Sequence, residues 1–471
     1  MNQIDKTTRG VHSGTSSASG TAASAPLVVA LEGALVTNPI ADEARWARRA
    51  AQVADLARRI DGVAPLGQEG ATLRPEGLAY SQRVLDLIAD ARADATPVYF
   101  AAGQHHALGL GIAEHLGIFD GVWTDADAEG REGHVYLGAD ADAPLWRNAS
   151  HVVTVHAGAG VRAAADAHPG GATNLGAPTG LLGPTLRAMR PHQWLKNLLV
   201  VLPAVAAHQF DAQTLLVAAL AFAAFSLVAS SVYLLNDLLD LAADRAHPRK
   251  RTRPFASGAL PIRYGRTLCI ALLVGGAVIG ALVGPLFLAV LAGYYLVTTA
   301  YSFGLKKRPI LDICTLAGLY TLRIVAGGAA MGIPLSVWLL AFSVFIFLAL
   351  AAMKRQAELV DTLAQGKTGA EGRGYRTDDL PLMSQMALTS GYAAVLVLAL
   401  YISSPEVQLL YGWPGALWGI CLILIYWISR AVFKTHRGEM DDDPIIFALK
   451  DGISRLTLCA MVIFAVLGAV V

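Results

Sequence analysis

The sequence predicts a helical transmembrane domain preceded by a soluble α/β domain. Hydrophobic residues make up 54% of the 471 residues and charged residues 15%, against roughly 25% charged in ordinary soluble domains. The hydrophobic residues gather in 195–471, as a series of apolar stretches. Most of these stretches approach the roughly 20 residues that a helix needs to cross about 30 Å of hydrocarbon. We therefore expect an all-α polytopic bundle in the second part of the chain.

Composition also excludes several classes of protein. The formal net charge of +1 disfavours a nucleic-acid partner. The four cysteines lie in apolar stretches without paired C-x-x-C spacing or a neighbouring histidine, so neither a disulfide framework nor a zinc site is expected. They are Cys269, Cys314, Cys421 and Cys459.

The N-terminal region divides into a tail, a domain and a linker. Residues 1–25 are rich in Ser, Thr, Gly and Ala and lack the apolar core of a signal peptide. We expect them to be disordered and cytoplasmic. From 26 to 165, short apolar runs alternate with amphipathic segments, which is typical of a parallel α/β sheet. A stretch rich in Gly, Ala and Pro, 166–184, is predicted to be a linker.

Within 26–165 we predict four strands and two helices. The strands begin at Pro26, Thr96, Val135 and His151, and the helices cover Arg83–Arg92 and Ala107–Leu116.

The transmembrane domain, 185–471, is predicted to hold nine spans. They are 195–208, 214–235, 266–283, 285–303, 311–330, 335–353, 385–403, 412–433 and 452–471. Four of the connecting loops, at 236–265, 304–310, 354–384 and 434–451, hold six, three, five and three Lys or Arg, and the alternate loops hold none. By the positive-inside rule, the N-terminal domain and the charged loops lie in the cytoplasm and the C-terminus lies outside. The location expected is the inner membrane.

The first charged loop opens with four oxygen-bearing residues at helical spacing. Asp237, Asp240 and Asp244 stand at i, i+3 and i+7, and Asn236 precedes Asp240 by four residues, so all four share one helical face. Converging carboxylates at the membrane surface repel one another unless a hard cation lies between them. Mg²⁺ fits because it takes oxygen ligands and accepts phosphate oxygens as well.

A dense cationic run follows, and cations beside such a site would hold phosphates. It contains Arg249, Lys250, Arg251 and Arg253. The alternative, that the loop is charged only because cytoplasmic loops are, explains the cations but not the acidic face.

Further candidates lie at the ends of other spans. Lys306 and Lys307 follow Tyr301, and Asp312 opens the next span. Arg323 lies within that span, where an ionised side chain must pair or face a wet cavity; pairing with Asp312 is the structural alternative. The remaining substrate-binding candidates are Lys196, Asn197, Tyr233, Lys354 and Arg355. For Lys354 and Arg355, as for the charged group at 441–443, 450 and 451, a purely topogenic role is the alternative.

With these motifs, residues 185–471 resemble the UbiA superfamily of intramembrane prenyltransferases. Two motifs carry the likeness: N-D-x-x-D-x-x-x-D after the second span, and Y-x-x-x-x-K-K, which begins at Tyr301, after the fourth. The segments 190–197, 244–254 and 301–306 are most similar to the branch of decaprenyl-phosphate phosphoribosyltransferases. Asp312 stands nearly alone where the prenyl-diphosphate branch has a second Asp-rich motif, which favours the phosphoribosyl branch.

The resemblance implies an enzyme that transfers 5-phosphoribose from phosphoribosyl diphosphate to a polyprenyl phosphate in a lipid bilayer, for cell-envelope glycan synthesis. Mg²⁺ would sit on Asn236, Asp237, Asp240 and Asp244, Lys306 would neutralise the leaving diphosphate, and no covalent enzyme nucleophile is needed. A homo-oligomer and downstream phosphatase or epimerase partners stay open. Two other functions also stay open: an aromatic prenyltransferase that uses a polyprenyl diphosphate, and an isoprenoid-phosphate scaffold or transporter.

Residues 26–165 resemble a haloacid-dehalogenase-like phosphatase whose catalytic residues are replaced. The resemblance places the nucleophile at Ala30, the general acid at Glu32, the Ser/Thr position at Ala101 or Ala102 and an acidic metal ligand at Ala139. A phosphatase without its nucleophile cannot form an aspartyl-phosphate. We therefore expect an inactive domain that serves docking, regulation or stability.

Overall fold

The computed structural model describes residues 25–60, 72–124, 131, 133–176, 180–369, 373–440 and 443–470. The predicted disordered tail lies almost wholly outside these residues. The described residues form two compact units. The first takes those within 1–40 and 73–179, and the second those within 41–72 and 180–471.

The first unit is built on a six-stranded parallel sheet in the order β3-β2-β1-β4-β5-β6. The strands are β1 (Leu27–Ala30), β2 (Val98–Ala101), β3 (Gly121–Trp123), β4 (Val135–Leu137), β5 (His151–Val155) and β6 (Ala172–Leu175). Its helices are α2 (Gln82–Ala93), α3 (His106–Leu116), α4 (Pro144–Arg147) and α5 (Ala159–Asp166). The α/β prediction is confirmed for this sheet, since its strands are parallel and β1, β2 and β4 are apolar and largely buried.

Two elements differ from the prediction. The predicted linker contains β6, which pairs in parallel with β5 from Val152↔Ala172 to Val155↔Leu175. Its Ala-Thr-Asn-Leu sequence reads as a turn, yet an edge strand needs only one partner. Helix α1 (Ile40–Ile60) follows β1 in the chain, but from Ala41 onward it belongs to the second unit.

The second unit is helical. Its helices are α6 (Leu182–Met189), a 3-10 helix (Pro191–Val201), α7 (Leu202–Ala206), α8 (Ala212–Leu239), α9 (Leu241–Ala246), α10 (Ile262–Val283), α11 (Pro285–Phe303), α12 (Leu311–Met331), α13 (Val337–Ala364), α14 (Leu380–Ile402), α15 (Pro405–Leu410), α16 (Trp418–His436), α17 (Pro444–Lys450) and α18 (Gly452–Val470). Eight helices of the described residues are long and apolar enough to cross a membrane: α8, α10 to α14, α16 and α18.

The predicted first span, 195–208, is not one long helix. It is formed by the end of the 3-10 helix and the short α7, with Pro203 at the start of α7. Proline lacks an N–H donor and disfavours the α conformation of the residue before it, so a continuous α-helix is not favoured here. The 3-10 helix packs tightly on α12, since a Cβ on Gly327 would come within 2.0 Å of the Val200 carbonyl oxygen.

Capping and turn residues fix the ends of the membrane helices. The Asp211 carboxylate caps α8 by accepting from the backbone N–H groups of Gln213 and Thr214. Gly284, at φ +152°, joins α10 to α11, which then begins on Pro285. A glycine followed by proline turns the chain sharply here, because glycine tolerates this φ and proline suits the first helical position.

Candidate active site

A polar cavity of about 390 Å³ lies within the second unit, at the helix ends that carry the charged loops. Residues from α8, α11, α12, α13 and the start of α17 line it together with parts of three loops. Twelve of the predicted or noted site residues reach it: Arg190, Lys196, Tyr233, Asn236, Asp237, Asp240, Lys250, Arg253, Tyr301, Lys306, Arg323 and Lys354.

The acidic motif lies where α8 ends. The helix stops at Leu239, and α9 begins after Asp240, while the hydrogen bonds Asp240 N–H to Asn236 O and Asp244 N–H to Asp240 O keep the helical path. Asn236, Asp237 and Asp240 therefore face the cavity together, as the spacing predicts.

Two arginines bind the deepest carboxylate of the motif. Arg190 donates to Asp237 Oδ1 at 2.5 Å and Arg253 donates to the same oxygen at 3.1 Å. Arg253 also donates to Asp244 at 2.6 Å. Asp244 is buried and is not among the described residues that line the cavity, so the structure places it behind Arg253 rather than at the predicted metal position.

Asp240 is the accessible carboxylate of this end. Its side chain is 49% exposed, and Lys306 Nζ lies 3.9 Å from Oδ2. Lys250 and Lys306 also line the cavity here. We call this part of the cavity the Asp240 end; it combines oxygen atoms that could bind a metal ion with the positive charge of two lysines.

A second cationic group, the Lys196 end, lies at the start of α17. Asp443 accepts from Lys196 at 2.6 Å, and Lys354 Nζ lies 3.9 Å from the same oxygen. Burial alone raises the pKa of Asp443, but the two lysines hold it below its ordinary value, so the carboxylate is ionised at neutral pH.

Arg323 is held by the protein and has few free donors. It donates to Asn197 Oδ1 at 2.9 Å, to the Leu319 carbonyl at 2.7 Å and to the Tyr294 hydroxyl at 3.0 Å. Its predicted alternative partner, Asp312, does not take part. Asn197 is buried beneath it and lies outside the described cavity lining.

Asp312 and Arg355 form a buried support beneath the cavity. Asp312 Oδ2 lies 2.6 Å from Arg355 Nε, and Asp312 Oδ1 accepts from the Tyr301 hydroxyl at 2.8 Å and from Arg373 at 3.2 Å. Asp312 and Arg355 are at most 1% exposed and lie outside the described cavity lining, in contrast to their predicted role as substrate-binding residues. Their contacts instead position Tyr301 and Arg373, which do line the cavity.

Three predicted cations stay on the surface. Arg249, Arg251 and Lys307 are exposed and outside the described cavity lining, since neighbours one or two residues away take the inward positions. Three further charged residues that line the cavity were not among the predicted binding residues: Arg190, Arg373 and Asp443. Arg190 and Asp443 look in the sequence like charges that flank spans, and Arg373 lies in a loop without a recognisable motif.

An apolar groove opens beside the Lys196 end. It has a volume of about 710 Å³, and Trp194, Leu198, Phe222 and Ile446 are among its walls. Lys196 and Ile445 line both the groove and the cavity.

A separate cavity of about 750 Å³ belongs to the first unit. Residues that follow β1, β2 and β4 line it, so it lies at the carboxyl edge of the parallel sheet, where ligands bind in such folds. Ala30, Ala101 and Ala139 are among the lining residues. Glu32 also lines it and accepts from the backbone N–H of Ile40, the first residue of α1, at 2.6 Å.

Residues 197–450 match the model of the UbiA prenyltransferase family. The chain belongs to this family. Like its relatives it is a multi-pass membrane protein, and the predicted resemblance to UbiA proteins is confirmed. The match begins at Asn197 and thus covers both ends of the cavity apart from Arg190, Gln193 and Lys196.

Named UbiA relatives cover different parts of the chain. It is 34% identical over 405 residues to uncharacterized protein y4nM of Sinorhizobium fredii, which covers 81% of this chain and 78% of that protein. It is 34% identical over 303 residues to a decaprenyl-phosphate phosphoribosyltransferase of Mycobacterium tuberculosis, covering 62% of this chain and 96% of the relative. A solved UbiA homolog from Archaeoglobus fulgidus, bound to GPP and Mg²⁺, aligns with 60% of this chain and 99% of its own at 17% identity and a TM-score of 0.45.

Proposed function

We propose that this protein transfers 5-phosphoribose from phosphoribosyl diphosphate to a polyprenyl phosphate and releases diphosphate. The observation that carries the proposal is one cavity with two cationic ends, one beside the accessible carboxylate of Asp240 and the other beside an apolar groove. A phosphoribosyl transfer needs both ends, because donor and acceptor each bring phosphate. The name of the mycobacterial relative agrees with this reaction.

The Asp240 end is the proposed site of the donor diphosphate. Mg²⁺ binds proteins through one or two carboxylates and completes its shell with water and substrate phosphates. The described residues hold no cluster of three or more His, Cys, Asp or Glu side chains arranged for a metal. At the Asp240 end the carboxylates of Asp237 and Asp240 and the amide of Asn236 face the cavity, and this set fits Mg²⁺ together with diphosphate.

Asn236, Asp237 and Asp240 would hold the ion, which when bound neutralises negative charge on the leaving diphosphate. Lys250 and Lys306 add positive charge at the same end. Arg253 lines the cavity as well and, paired with Asp237 and Asp244, is placed to exchange carboxylate oxygens for phosphate oxygens.

The Lys196 end is the proposed site of the acceptor phosphate. Lys196 and Lys354 share one carboxylate, Asp443, so they present two ammonium groups for one counter-charge. Arg323 is less suited, since three of its donors already bind protein acceptors. The polyprenyl chain would lie in the apolar groove that meets the cavity at Lys196.

In the proposed reaction, the bond between the anomeric carbon and the diphosphate oxygen breaks, and its electron pair leaves with diphosphate. A lipid phosphate oxygen then bonds to the same carbon. The residues of this chain bind and orient the two phosphates and stabilise the leaving charge, which requires no covalent intermediate on the enzyme. The product is a lipid-linked pentose phosphate suited to cell-envelope glycan synthesis.

We also propose nine crossings, with the charged loops and the N-terminal unit in the cytoplasm and the C-terminus outside. The 3-10 helix has 11 residues and α7 has five. At rises of about 2.0 and 1.5 Å per residue they extend about 30 Å together, which matches the hydrocarbon core. The 3-10 helix and α7 would thus form a broken first crossing, which together with the eight long helices gives nine.

For residues 26–165 we propose a degenerate haloacid-dehalogenase-like domain, followed by a short connection into the transferase domain at 185–471. Support comes from the parallel sheet and from the alanines at the carboxyl edge, where the resemblance expects a nucleophile, a hydroxyl and a metal ligand.

The test uses the purified full chain in detergent with Mg²⁺, phosphoribosyl diphosphate and a polyprenyl phosphate. Mass spectrometry should detect a lipid-linked phosphoribose, with equimolar diphosphate release, and EDTA should abolish both. Asp378→Asn, a change at an exposed loop carboxylate, is the matched control and should retain activity. Turnover of a polyprenyl diphosphate with 4-hydroxybenzoate, without phosphoribosyl transfer, would replace the proposal with an aromatic prenyltransferase. Lipid binding with neither reaction would indicate a scaffold or transporter.

A further inference from the structure

A small basic pocket of about 170 Å³ lies in the second unit, apart from the cavity of the proposed reaction. Arg45 and Arg49 reach it from α1, and Arg263 and Arg266 reach it from the first turns of α10. The spacings of four and three residues put each pair on one helical face. Two helices distant in sequence thus direct four guanidinium groups to one place.

Firm contacts fix α1 in this position. The Trp46 indole, which lines the pocket, donates to the Leu238 carbonyl at 2.7 Å. One turn away, Arg245 donates to both oxygens of Glu43, at 2.7 and 3.0 Å, and both side chains are at most 5% exposed. Tertiary contacts therefore hold α1 in place, while the arginine side chains that it brings to the pocket, Arg45 and Arg49, are themselves exposed.

The pocket has more positive charge than its own residues neutralise. Asp42 is the one acidic residue in its described lining, and it pairs with Arg45 at 2.5 Å. Among the described residues, none provides an ion pair or a hydrogen-bond acceptor for the side chains of Arg49, Arg263 or Arg266. Three converging guanidinium groups repel one another unless an anion lies between them.

An exposed apolar stripe begins where the pocket ends. Every fourth residue of α10 after Arg266 is a large exposed hydrophobic side chain, and each is more than half exposed: Ile270, Val274, Val278 and Leu282. Since α10 is long and apolar enough to cross a membrane, this stripe faces hydrocarbon and the arginines lie at headgroup level.

We propose that the pocket binds the headgroup phosphate of an anionic phospholipid, with an acyl chain along the α10 stripe. Basic pockets at the membrane surface recognise such headgroups, and the arginine fork matches phosphate geometry. The apolar stripe favours a lipid over a soluble anion, because an acyl chain can pack against it and a free phosphate ion cannot. The pocket lies one helical turn from the contacts that hold the end of α8, so an occupied site would also fasten α1 there.

The test measures lipid binding of the full chain and does not depend on which reaction the enzyme catalyses. Protein in nanodiscs of phosphatidylcholine alone is compared with protein in discs that contain phosphatidylglycerol, by native mass spectrometry of retained lipid and by thermal unfolding. We expect selective retention of phosphatidylglycerol and a higher unfolding temperature. The double variant R263Q/R266Q should bind about 30-fold more weakly, from about fivefold for each arginine near an anionic surface.

R49Q provides a second, independent variant and should weaken binding about fivefold. R455Q is the matched control, because Arg455 is an exposed arginine near the start of another membrane helix, α18, and lies outside the pocket. Equal retention of the two lipids, or binding that the arginine variants leave unchanged, would overturn the proposal. Equal stabilisation by inorganic phosphate in phosphatidylcholine discs would overturn its lipid part.

Discussion

The cavity of the first unit is larger than the polar cavity of the second unit, but only the smaller one is lined by basic residues. The first unit's cavity is about 750 Å³, and its described lining contains no Lys or Arg. The second unit's cavity is about 390 Å³ and is lined by eight: Arg190, Lys196, Lys250, Arg253, Lys306, Arg323, Lys354 and Arg373. Phosphate chemistry depends on fixed positive charge and oxygen donors, so the smaller cavity is the candidate active site.

The degenerate domain that we propose for residues 26–165 would be a site that keeps its cavity without its reactive groups. In the first unit the sheet still opens a large cavity at its carboxyl edge, but alanines occupy the positions where the predicted resemblance expects reactive groups. In the second unit the carboxylates of Asp237 and Asp240 line the cavity, and that of Asp240 is accessible.

The largest expected effect is at Asp240, the exposed carboxylate of the charged cavity. Asp240→Ala removes an oxygen donor of the proposed diphosphate site and should lower kcat at least about a hundredfold, as loss of a group that stabilises leaving charge does. The measurement is phosphoribosyl-lipid formation by mass spectrometry at saturating substrates. Near-normal turnover with an intact fold would refute the assignment of this end.

Asp244→Ala sharpens that test, because Asp244 contacts Arg253 and lies outside the described cavity lining. We expect a smaller loss than for Asp240→Ala. An equal loss would indicate that Asp244 acts in the site as the motif predicts.

An intermediate effect is expected at Lys196, where the cavity meets the apolar groove. Lys196→Ala should raise KM for the polyprenyl phosphate by about tenfold, because it removes one charge-assisted contact worth about 1.5 kcal/mol, and leave KM for phosphoribosyl diphosphate within twofold. Steady-state kinetics with each substrate varied in turn measures this. The reverse pattern would exchange the donor and acceptor ends.

The smallest effect is expected in the cavity of the first unit, whose described lining contains no Lys or Arg. Glu32→Gln keeps an oxygen acceptor for the Ile40 N–H at the start of α1, so transferase activity should stay within twofold of the original protein. Neither protein should hydrolyse p-nitrophenyl phosphate. A phosphatase activity that Glu32→Gln abolishes would show that the first unit is catalytic after all.

Much of the architecture could be predicted from local sequence patterns. Apolar length located eight of the membrane helices, and alternation of short apolar runs located four of the six strands. Local patterns did not predict β6, because it is a polar edge strand. They predicted 195–208 as one span, but Pro203 interrupts the helix there.

The site residues divide along a similar line. The spacing of Asn236, Asp237 and Asp240 predicted a shared face, and the three do line one cavity. Spacing says nothing about which partner a charged side chain meets. Asp312 and Arg355 therefore look like binding residues in the sequence but are buried against each other, and Arg373 looks like an ordinary loop arginine but lines the cavity.

The sequence by itself determined the membrane helices, the parallel sheet and the acidic motif, because hydrophobic length and residue spacing act over neighbouring residues. Only the tertiary structure shows that Asp443 lies between Lys196 and Lys354. It also shows that Glu43 of α1 pairs with Arg245 of the second unit, although β1, the preceding strand, belongs to the first unit. Such contacts join residues about 90 to 250 positions apart, and no local pattern encodes them. They depend on how buried charges find counter-charges once the helices have packed.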